Sequence, residues 1–264
     1  MRRTSWFRIP LLPDFPRPLL FAHRGLSSIC PENTMAAFRA AREAGIPGIE
    51  LDVHLTKDGK LVVFHDDTTK RIVAGPGSPT EALFIEGADY TALSSLDIGI
   101  WKGHAFAGER MPLLGDVLEE FGAAQYFDIE IKSRTAGDAG LERLLAMAIA
   151  DHHMEGRCLV SSFNPFALRR FKAFSPDIPT AIIWSRSTEL YWFLRHGEGR
   201  WIGNVDALKP EQGLLKRKRI FASLRPPLLP WTVDTKADAE RLLAFGAAGI
   251  ISNRPQDLGV VQSP

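Results

Sequence analysis

The sequence predicts an α/β fold, a (β/α)8 TIM barrel with a small insertion after the second strand. Eight short apolar runs rich in β-branched and aromatic residues alternate with amphipathic helical patterns, which is typical of repeated βα units and a parallel sheet. Eight is also the number of strands that closes a barrel. The 264 residues suffice for one such barrel or for two smaller domains.

The elements follow one another in regular order. The first helical pattern has Met35 and Phe38 on one side and Arg39 and Arg42 elsewhere, as expected of a helix packed on a sheet. The strand-like runs are 19–23, 48–53, 126–131, 158–162, 179–184, 204–208, 228–233 and 249–252. The helical patterns are 34–44, 115–121, 141–152, 165–174, 188–195, 214–221 and 236–245.

A hairpin interrupts this alternation after the second run. Strand-like pieces at 53–56 and 60–64 flank the turn sequence Lys57-Asp58-Gly59. If the second strand runs upward, the hairpin rises above the carboxyl-terminal rim of the barrel and returns His65 to that rim. We therefore expect one domain over 1–264, with an insertion at 54–112 that contains the hairpin and a lid.

Charge and composition limit the partners of the chain. Lys and Arg number 32 against 31 Asp and Glu, a formal net charge of +1, which gives no global electrostatic support to binding of nucleic acid. The basic run 216–219 lies in a helical pattern and is interpreted as a solvated helix face. Cys30 and Cys158 are interpreted as reduced. Neither a secretion signal nor a transmembrane segment is evident, so a cytoplasmic protein is expected.

Carboxylates occupy alternate positions on two of the predicted strands. Side chains two residues apart share a face of a strand, so Glu50 and Asp52 project together, and so do Asp128, Glu130 and Lys132. Three converging carboxylates would repel one another unless a cation lay among them. Glu50, Asp52 and Glu130 are therefore candidate ligands of one divalent cation, Mg²⁺ or Ca²⁺ and possibly Mn²⁺.

Two alternatives remain for these acids. Glu50 and Asp52 could be solvated on an edge strand, although the apolar residues around them favour burial. Glu130 and Lys132 could form an internal ion pair that only closes the barrel. Asp128 is an additional acid that could alter the choice of metal.

Two histidines end apolar runs, His23 after 19–22 and His65 after 61–64. Polar titratable residues at the carboxyl ends of barrel strands are typical of catalytic sites. Cleavage of a phosphodiester needs a base for the nucleophile and an acid for the leaving alkoxide, and two imidazoles can divide that work. A structural role remains the alternative for either histidine considered alone.

Cationic and aromatic residues complete the candidate site. Arg24 and Lys132 can bind phosphoryl oxygens, a guanidinium in bidentate fashion. Trp231 and Phe163, each beside a strand end, could form an apolar wall for the alcohol, with core packing as the alternative. Asn33 or Thr34 is expected to cap the first helix.

These motifs together resemble the glycerophosphodiester phosphodiesterase family. The resemblance covers nearly the whole chain after about residue 20 and includes stretches at 96–99, 108–113, 162–163, 231–233 and 249–251. Asp234 and Ser252-Asn253 depart from the usual residues of the family, which puts substrate preference in doubt more than the reaction. The motifs that carry the resemblance are His23-Arg24-Gly25, Pro31-Glu32-Asn33-Thr34, Glu50-Leu51-Asp52-Val53, Thr56-Lys57-Asp58-Gly59, His65-Asp66 and Glu130-Ile131-Lys132.

The resemblance implies metal-dependent hydrolysis of small glycerophosphodiesters to glycerol 3-phosphate and an alcohol such as choline or ethanolamine. It implies His23 as the base and His65 as the acid, whereas the residues alone leave that order open. They also leave open whether the nucleophile is a water or the glycerol hydroxyl next to the ester, which would give a cyclic phosphate. Subunit number is likewise left open.

Two other functions remain possible on the sequence. The first is cleavage of lysophospholipids or other lipid diesters, for which Ile98, Ile100, Trp101 and Phe106 in the insertion could provide an apolar mouth. The second is a catalytically silent protein that binds glycerophosphodiesters. The complete set of histidines and carboxylates counts against a binding protein without catalytic activity.

Overall fold

A computed structural model describes residues 10–72, 82–133, 137, 140–186, 194–215 and 226–260. Its centre is a curled sheet in the order β7-β6-β5-β4-β2-β1-β8, in which neighbours are parallel, and β3 pairs antiparallel with β2. The fold is the TIM barrel predicted from the sequence. The strands are β1 (Leu19–His23), β2 (Gly48–Leu55), β3 (Leu61–Val63), β4 (Tyr126–Ile131), β5 (Cys158–Ser162), β6 (Thr180–Trp184), β7 (Ala207–Pro210) and β8 (Gly249–Ser252).

The segment 227–233 closes the barrel between β7 and β8. On one side Leu208 N donates to Pro227 O at 2.9 Å, and on the other Ala248 N donates to Leu228 O at 2.9 Å. The predicted strand at 228–233 is present only as isolated bridges, because Pro227 and Pro230 have no N–H to extend a regular ladder. The segment therefore forms single backbone hydrogen bonds with its neighbours, but the prolines prevent a continuous strand.

The helices pack outside the sheet and begin at caps that the sequence supplies. Thr34 caps the first helix by accepting from Ala37 N at 3.2 Å, and Asn164 and Thr235 cap two later helices in the same way.

The patterns at 188–195 and 214–221 lie mostly outside the described residues. In the described part of the chain, no helix is long and apolar enough to cross a membrane. The helices are α1 (Met35–Glu43), α2 (Tyr90–Ser94), α3 (Leu114–Phe121), α4 (Leu141–Asp151), α5 (Pro165–Phe174), α6 (Gly199–Gly203) and α7 (Lys236–Phe245).

Strand parity separates an apolar layer from the barrel interior. Leu51 and Val53 on β2 are buried in the core between the sheet and the helices, whereas Glu50 and Asp52 point the other way. At the amino-terminal end, the interior is filled by an apolar cluster in which the Tyr126 ring lies 4.8 Å from Phe15. The carboxylates Glu50, Asp52 and Glu130 therefore lie towards the carboxyl-terminal end of the interior.

The insertion has its own apolar core. Strand β2 continues past the barrel and pairs with β3, so that Val53 lies opposite Val63. Val63 N then donates to Pro112 O at 2.9 Å, which joins the two ends of the insertion at its base. The division of the chain into one domain with an insertion at 54–112 stays a prediction. The buried residues of the insertion are Val62, Phe64, Ile72, Ile85, Leu93, Leu96, Ile98 and Met111.

We expect Tyr126→Phe to destabilise the barrel. The buried Tyr126 hydroxyl accepts from Leu20 N at 2.9 Å and donates to Leu20 O at 3.2 Å, so its loss leaves a strand N–H without a partner inside the protein. The expected cost is about 1–3 kcal/mol of unfolding free energy, measured by urea denaturation. Tyr90→Phe is the matched control, because its hydroxyl bonds Met111 O in a half-buried position of the insertion. Equal effects of the two changes would contradict this account.

Candidate active site

Three carboxylates converge at the carboxyl-terminal end of the barrel. Glu50 and Asp52 come from β2 and Glu130 from the adjacent β4, where the parallel register places Asp52 beside Glu130. One oxygen from each lies within 4.8 Å of the others, and all three side chains are buried. Burial excludes the solvated edge-strand alternative for Glu50 and Asp52.

Cationic groups offset part of this charge. Lys132 Nζ lies 2.6 Å from Glu130 Oε1 and 2.9 Å from Asp52 Oδ1, and Arg24 Nε lies 3.3 Å from Asp52 Oδ2. Burial alone would raise the pKa of Asp52, but Lys132 and Arg24 outweigh it and hold the pKa well below its usual range. The predicted pairing of Glu130 with Lys132 is thus present, and it includes Asp52.

Glu50 is the carboxylate that these cations compensate least. Burial, followed by the charge of Asp52, raises the pKa of Glu50 to about 8. The protein groups alone therefore supply too little positive charge for all three acids to be ionised at neutral pH. A buried set of three oxygen donors with this deficit fits a hard divalent cation.

Asp128 lies in a separate ion pair. Its Oδ2 lies 2.7 Å from Lys209 Nζ, and its Oδ1 accepts from Ser161 Oγ at 2.6 Å. Lys209 is fully buried and also lies 3.7 Å from Glu50 Oε1. Asp128 thus lies outside the group of candidate ligands, contrary to the possibility raised by its sequence position. Lys209 was missed because the predicted strand ended at residue 208, one position before it.

The loop after β1 brings its main chain and side chains against the cluster. Arg24 N donates to Glu50 Oε2 at 3.2 Å, and Asn33 Nδ2 donates to Asp52 Oδ2 at 2.8 Å. Arg24 and Asn33 both have left-handed backbone conformations, with φ of 57° and 55°. Thr34 is the helix cap, so Asn33 is left to orient a candidate metal ligand.

His23 contacts a neutral amide. Its Nδ1 lies 2.7 Å from Asn253 Oδ1, and Asn253 Nδ2 donates to Asp234 Oδ2 at 2.7 Å. Because an amide oxygen only accepts, this geometry requires the imidazole proton on Nδ1 and leaves Nε2 with its lone pair, 3.9 Å from Glu50 Oε2. Burial, then the charge of Arg24, lowers the pKa of His23 to about 3. His23 is therefore a neutral imidazole.

His65 has a carboxylate partner instead. Its Nδ1 lies 2.6 Å from Asp66 Oδ1, and about a third of its side chain, 31%, is exposed. Asp66 in turn accepts from Arg71 Nε at 2.7 Å. Arg71 also binds Glu32, which accepts from Arg24 Nη1 at 2.9 Å. Arg71 was missed by the sequence analysis, since nothing in its local pattern places it beside the motifs.

Trp231 lines an open cleft at the same rim. Its Nε1 donates to Lys209 O at 2.9 Å, and its ring meets Phe163 edge-on with centroids 5.8 Å apart. The ring is half-buried, so it both packs against the barrel and faces the cleft. The cavity has a volume of about 550 Å³ and is lined by Ser185, Arg186, Glu211, Gln212, Trp231 and Thr232.

Part of the expected apolar mouth is present. Ile100 and Trp101 expose 41% and 38% of their surface, and Ile29 of the loop after β1 is also exposed. Lys102 Nζ donates to Ser27 O at 2.8 Å and ties this turn of the insertion to that loop. Ile98 does not contribute, because it is fully buried in the core of the insertion.

A family model now identifies the kind of protein. The model of the glycerophosphoryl diester phosphodiesterase family matches residues 23–257, which include every candidate site residue. The chain belongs to this family. Members of the family are phosphoric diester hydrolases, as the resemblance of the motifs predicted.

Individual members of the family are similar over nearly their whole length. A glycerophosphodiester phosphodiesterase of Caldanaerobacter subterraneus subsp. tengcongensis is 37% identical over 254 residues, 92% of this chain and 96% of that protein. One of Bacillus subtilis is 30% identical over 267 residues, 93% of this chain and 86% of that protein. The structure of an Oleispira antarctica phosphodiesterase, in complex with the product sn-glycerol-3-phosphate, is similar with a TM-score of 0.76 and 27% identity, covering 94% of this chain and 97% of that one.

We expect Mg²⁺, Ca²⁺ or Mn²⁺ to raise the unfolding temperature of this member of the family. A ligand at roughly 100 times its dissociation constant stabilises the folded state by about 2.7 kcal/mol, which amounts to several degrees for a chain of this size. Differential scanning fluorimetry with and without chelator measures the shift. Glu50→Gln should remove most of the shift, whereas Glu240→Gln, on the exposed face of α7, should keep it. The same shift in both variants would place the ion elsewhere.

Proposed function

We propose that the protein hydrolyses glycerophosphodiesters to glycerol 3-phosphate and an alcohol, with one divalent cation and two histidines. The main support is the convergence at one rim of two histidines with different partners and three buried carboxylates. The names of its relatives and the product bound by the Oleispira enzyme support the same substrate class. The expected cytoplasmic location stays a prediction.

Glu50, Asp52 and Glu130 would hold the cation, which we propose to be Mg²⁺, Ca²⁺ or Mn²⁺. When bound there, such an ion would supply positive charge that offsets the developing charge of the phosphoryl group. Asn33 and Lys132 orient Asp52 from two sides, through contacts of 2.8 Å and 2.9 Å. These contacts keep the carboxylates facing one another in a buried site.

His23 is the proposed general base. Its hydrogen bond to Asn253 leaves Nε2 unprotonated and directed towards the carboxylate cluster. Nε2 then accepts the proton of the nucleophile, either the glycerol hydroxyl next to the ester or a water. The neutral amide and the buried position keep Nε2 unprotonated before the step, and the charge of Asp52 favours the imidazolium that forms when the proton is taken up.

His65 is the proposed general acid. Asp66 lies 2.6 Å from its Nδ1 and orients the ring, whose Nε2 proton would pass to the oxygen of the leaving alcohol. The two histidines thus differ in their partners, an amide for one and a carboxylate for the other. This asymmetry supports the order of base and acid that the sequence residues alone left open.

Arg24, Lys132 and Trp231 are the proposed substrate-binding residues. Arg24 uses Nη1 for Glu32, which leaves Nη2 for a phosphoryl oxygen, and Lys132 brings a second positive charge to the cluster. Trp231 lines the 550 Å³ cavity at the rim, and Phe163 packs edge-on against its ring. The alcohol part of the substrate would lie against this wall.

A lipid diester is the second candidate substrate, favoured by the exposed side chains of Ile29, Ile100 and Trp101 beside the site. An acyl chain could cover these residues while the head group reached the carboxylates. A silent binding protein is less well supported, because both histidines and all three candidate ligands are present.

Purified protein should release glycerol 3-phosphate from glycerophosphocholine or glycerophosphoethanolamine only when a divalent cation is present. An enzyme-coupled assay of glycerol 3-phosphate, run with chelator and with each cation, measures this. Faster cleavage of lysophosphatidylcholine would favour the lipid substrate. No product from any diester would exclude hydrolysis and favour the binding protein.

His23→Ala and His65→Ala should each lower kcat by about 10²–10⁴-fold, because each removes one proton transfer. His196→Ala is the control, since its side chain is 70% exposed and its Nδ1 lies 3.5 Å from Glu198 Oε1. Steady-state rates, with circular dichroism to check folding, compare the three variants. Near-wild-type rates in both site variants would contradict the assignment.

A further inference from the structure

Arg71 binds two carboxylates that belong to different parts of the site. Its Nε and Nη2 lie 2.7 Å and 3.1 Å from the two oxygens of Asp66. Its Nη2 and Nη1 also lie 2.7 Å and 3.2 Å from the two oxygens of Glu32. The guanidinium therefore makes two bidentate pairs at once, which the planar group permits and an ammonium group does not.

The two pairs connect the proposed acid with the proposed phosphate-binding arginine. On one side Asp66 contacts His65 Nδ1 at 2.6 Å, and on the other Glu32 accepts from Arg24 Nη1 at 2.9 Å. Glu32 and Asp66 thus each have one oxygen shared between Arg71 and a site residue. Loss of Arg71 would leave Glu32 paired with Arg24, whereas Asp66 would be held only through its contact with His65.

Packing does not account for these contacts. The Arg71 side chain is 46% exposed, at the end of a short 3-10 turn, Thr69–Arg71, in the insertion. An exposed ion pair contributes about 0–1 kcal/mol to stability, so a purely structural role would be a small one. The value of a double bidentate contact lies in fixing the direction of the carboxylates.

We propose that Arg71 is a positioning residue for the reaction, holding Asp66 so that His65 is directed at the leaving-group oxygen. The proposal rests on the proposed hydrolysis and on the role of His65 as acid. Arg71 itself touches no reacting atom. The insertion therefore contributes to proton transfer as well as to covering the site.

The dependence on the leaving group tests the proposal. Choline is a poor leaving group that needs a proton, whereas 4-nitrophenolate leaves without one. Arg71→Ala should lower kcat for glycerophosphocholine by about tenfold to 100-fold, and kcat for the 4-nitrophenyl ester of glycerol 3-phosphate by less than about threefold. Equal losses on both substrates would overturn the proposal, because a general structural defect affects both alike.

Lys70→Ala is the matched control, since Lys70 lies on the same turn and is exposed. It should retain wild-type kcat on both substrates. Arg71→Lys should remain impaired on glycerophosphocholine, because one ammonium cannot make both bidentate pairs. Added guanidinium should restore part of the activity of Arg71→Ala and have no effect on Lys70→Ala.

A double-mutant cycle tests the route through Asp66. If Arg71 acts by holding Asp66, Arg71→Ala should cost little further kcat in an Asp66→Asn background. Full additivity of the two losses would overturn that route. A wild-type protein without diesterase activity would refute the proposed function itself, whereas an active wild type with Arg71→Ala indistinguishable from Lys70→Ala would refute this inference alone.

Discussion

Burial of several carboxylates at one end of a barrel is the constraint that the rest of the site satisfies. Glu50, Asp52, Asp128 and Glu130 are all buried on adjacent strands, and an isolated buried carboxylate is strongly disfavoured in an apolar interior. Three cationic groups lie among these four acids and leave one negative charge in excess. Burial, together with this residual charge, explains the high pKa of Glu50, and the residual charge makes the site suitable for a dication. The cationic groups are Arg24, Lys132 and Lys209.

The opposite end of the barrel interior is mainly apolar. An apolar cluster around Tyr126 and Phe21 fills the amino-terminal end, with the residues that precede β1 packed beneath it. The barrel therefore has a dry end that stabilises the fold and a polar end that can carry chemistry. Strand parity alone distributes residues between the helix-facing layer and the interior, while position along the strand decides which end they reach.

Most of this could be predicted from the sequence, because parallel strands impose parity and place strand ends at one rim. The convergence of Glu50, Asp52 and Glu130 followed from these two rules. The segment 228–233 was predicted as a regular strand, and its prolines limit it to bridges. Asn33 could not be separated from Thr34 as a helix cap, since the choice depends on a left-handed turn that many sequences can adopt.

Lys209 and Arg71 were missed for different physical reasons. Lys209 lies one residue beyond the predicted end of its strand, so a small error in a boundary removed a buried cation from the site. Arg71 reaches its partners across space from a turn whose path depends on the packing of the whole insertion. Sequence periodicity carries information about regular elements and very little about such long side chains in irregular segments.

The closed base of the insertion has a consequence for how such barrels can diversify. The hydrogen bond from Val63 to Pro112 and the bridge between Val62 and Leu113 bring both ends of the insertion together on the pairing of β2 with β3. Residues between these two points can therefore be lengthened, shortened or exchanged as a cassette without changing the register of the barrel. Because the carboxylates lie on the barrel strands, exchange of the cassette would leave the carboxylate cluster in place. Residues inside the cassette with a role in the chemistry, as proposed for His65, would have to be carried along with it.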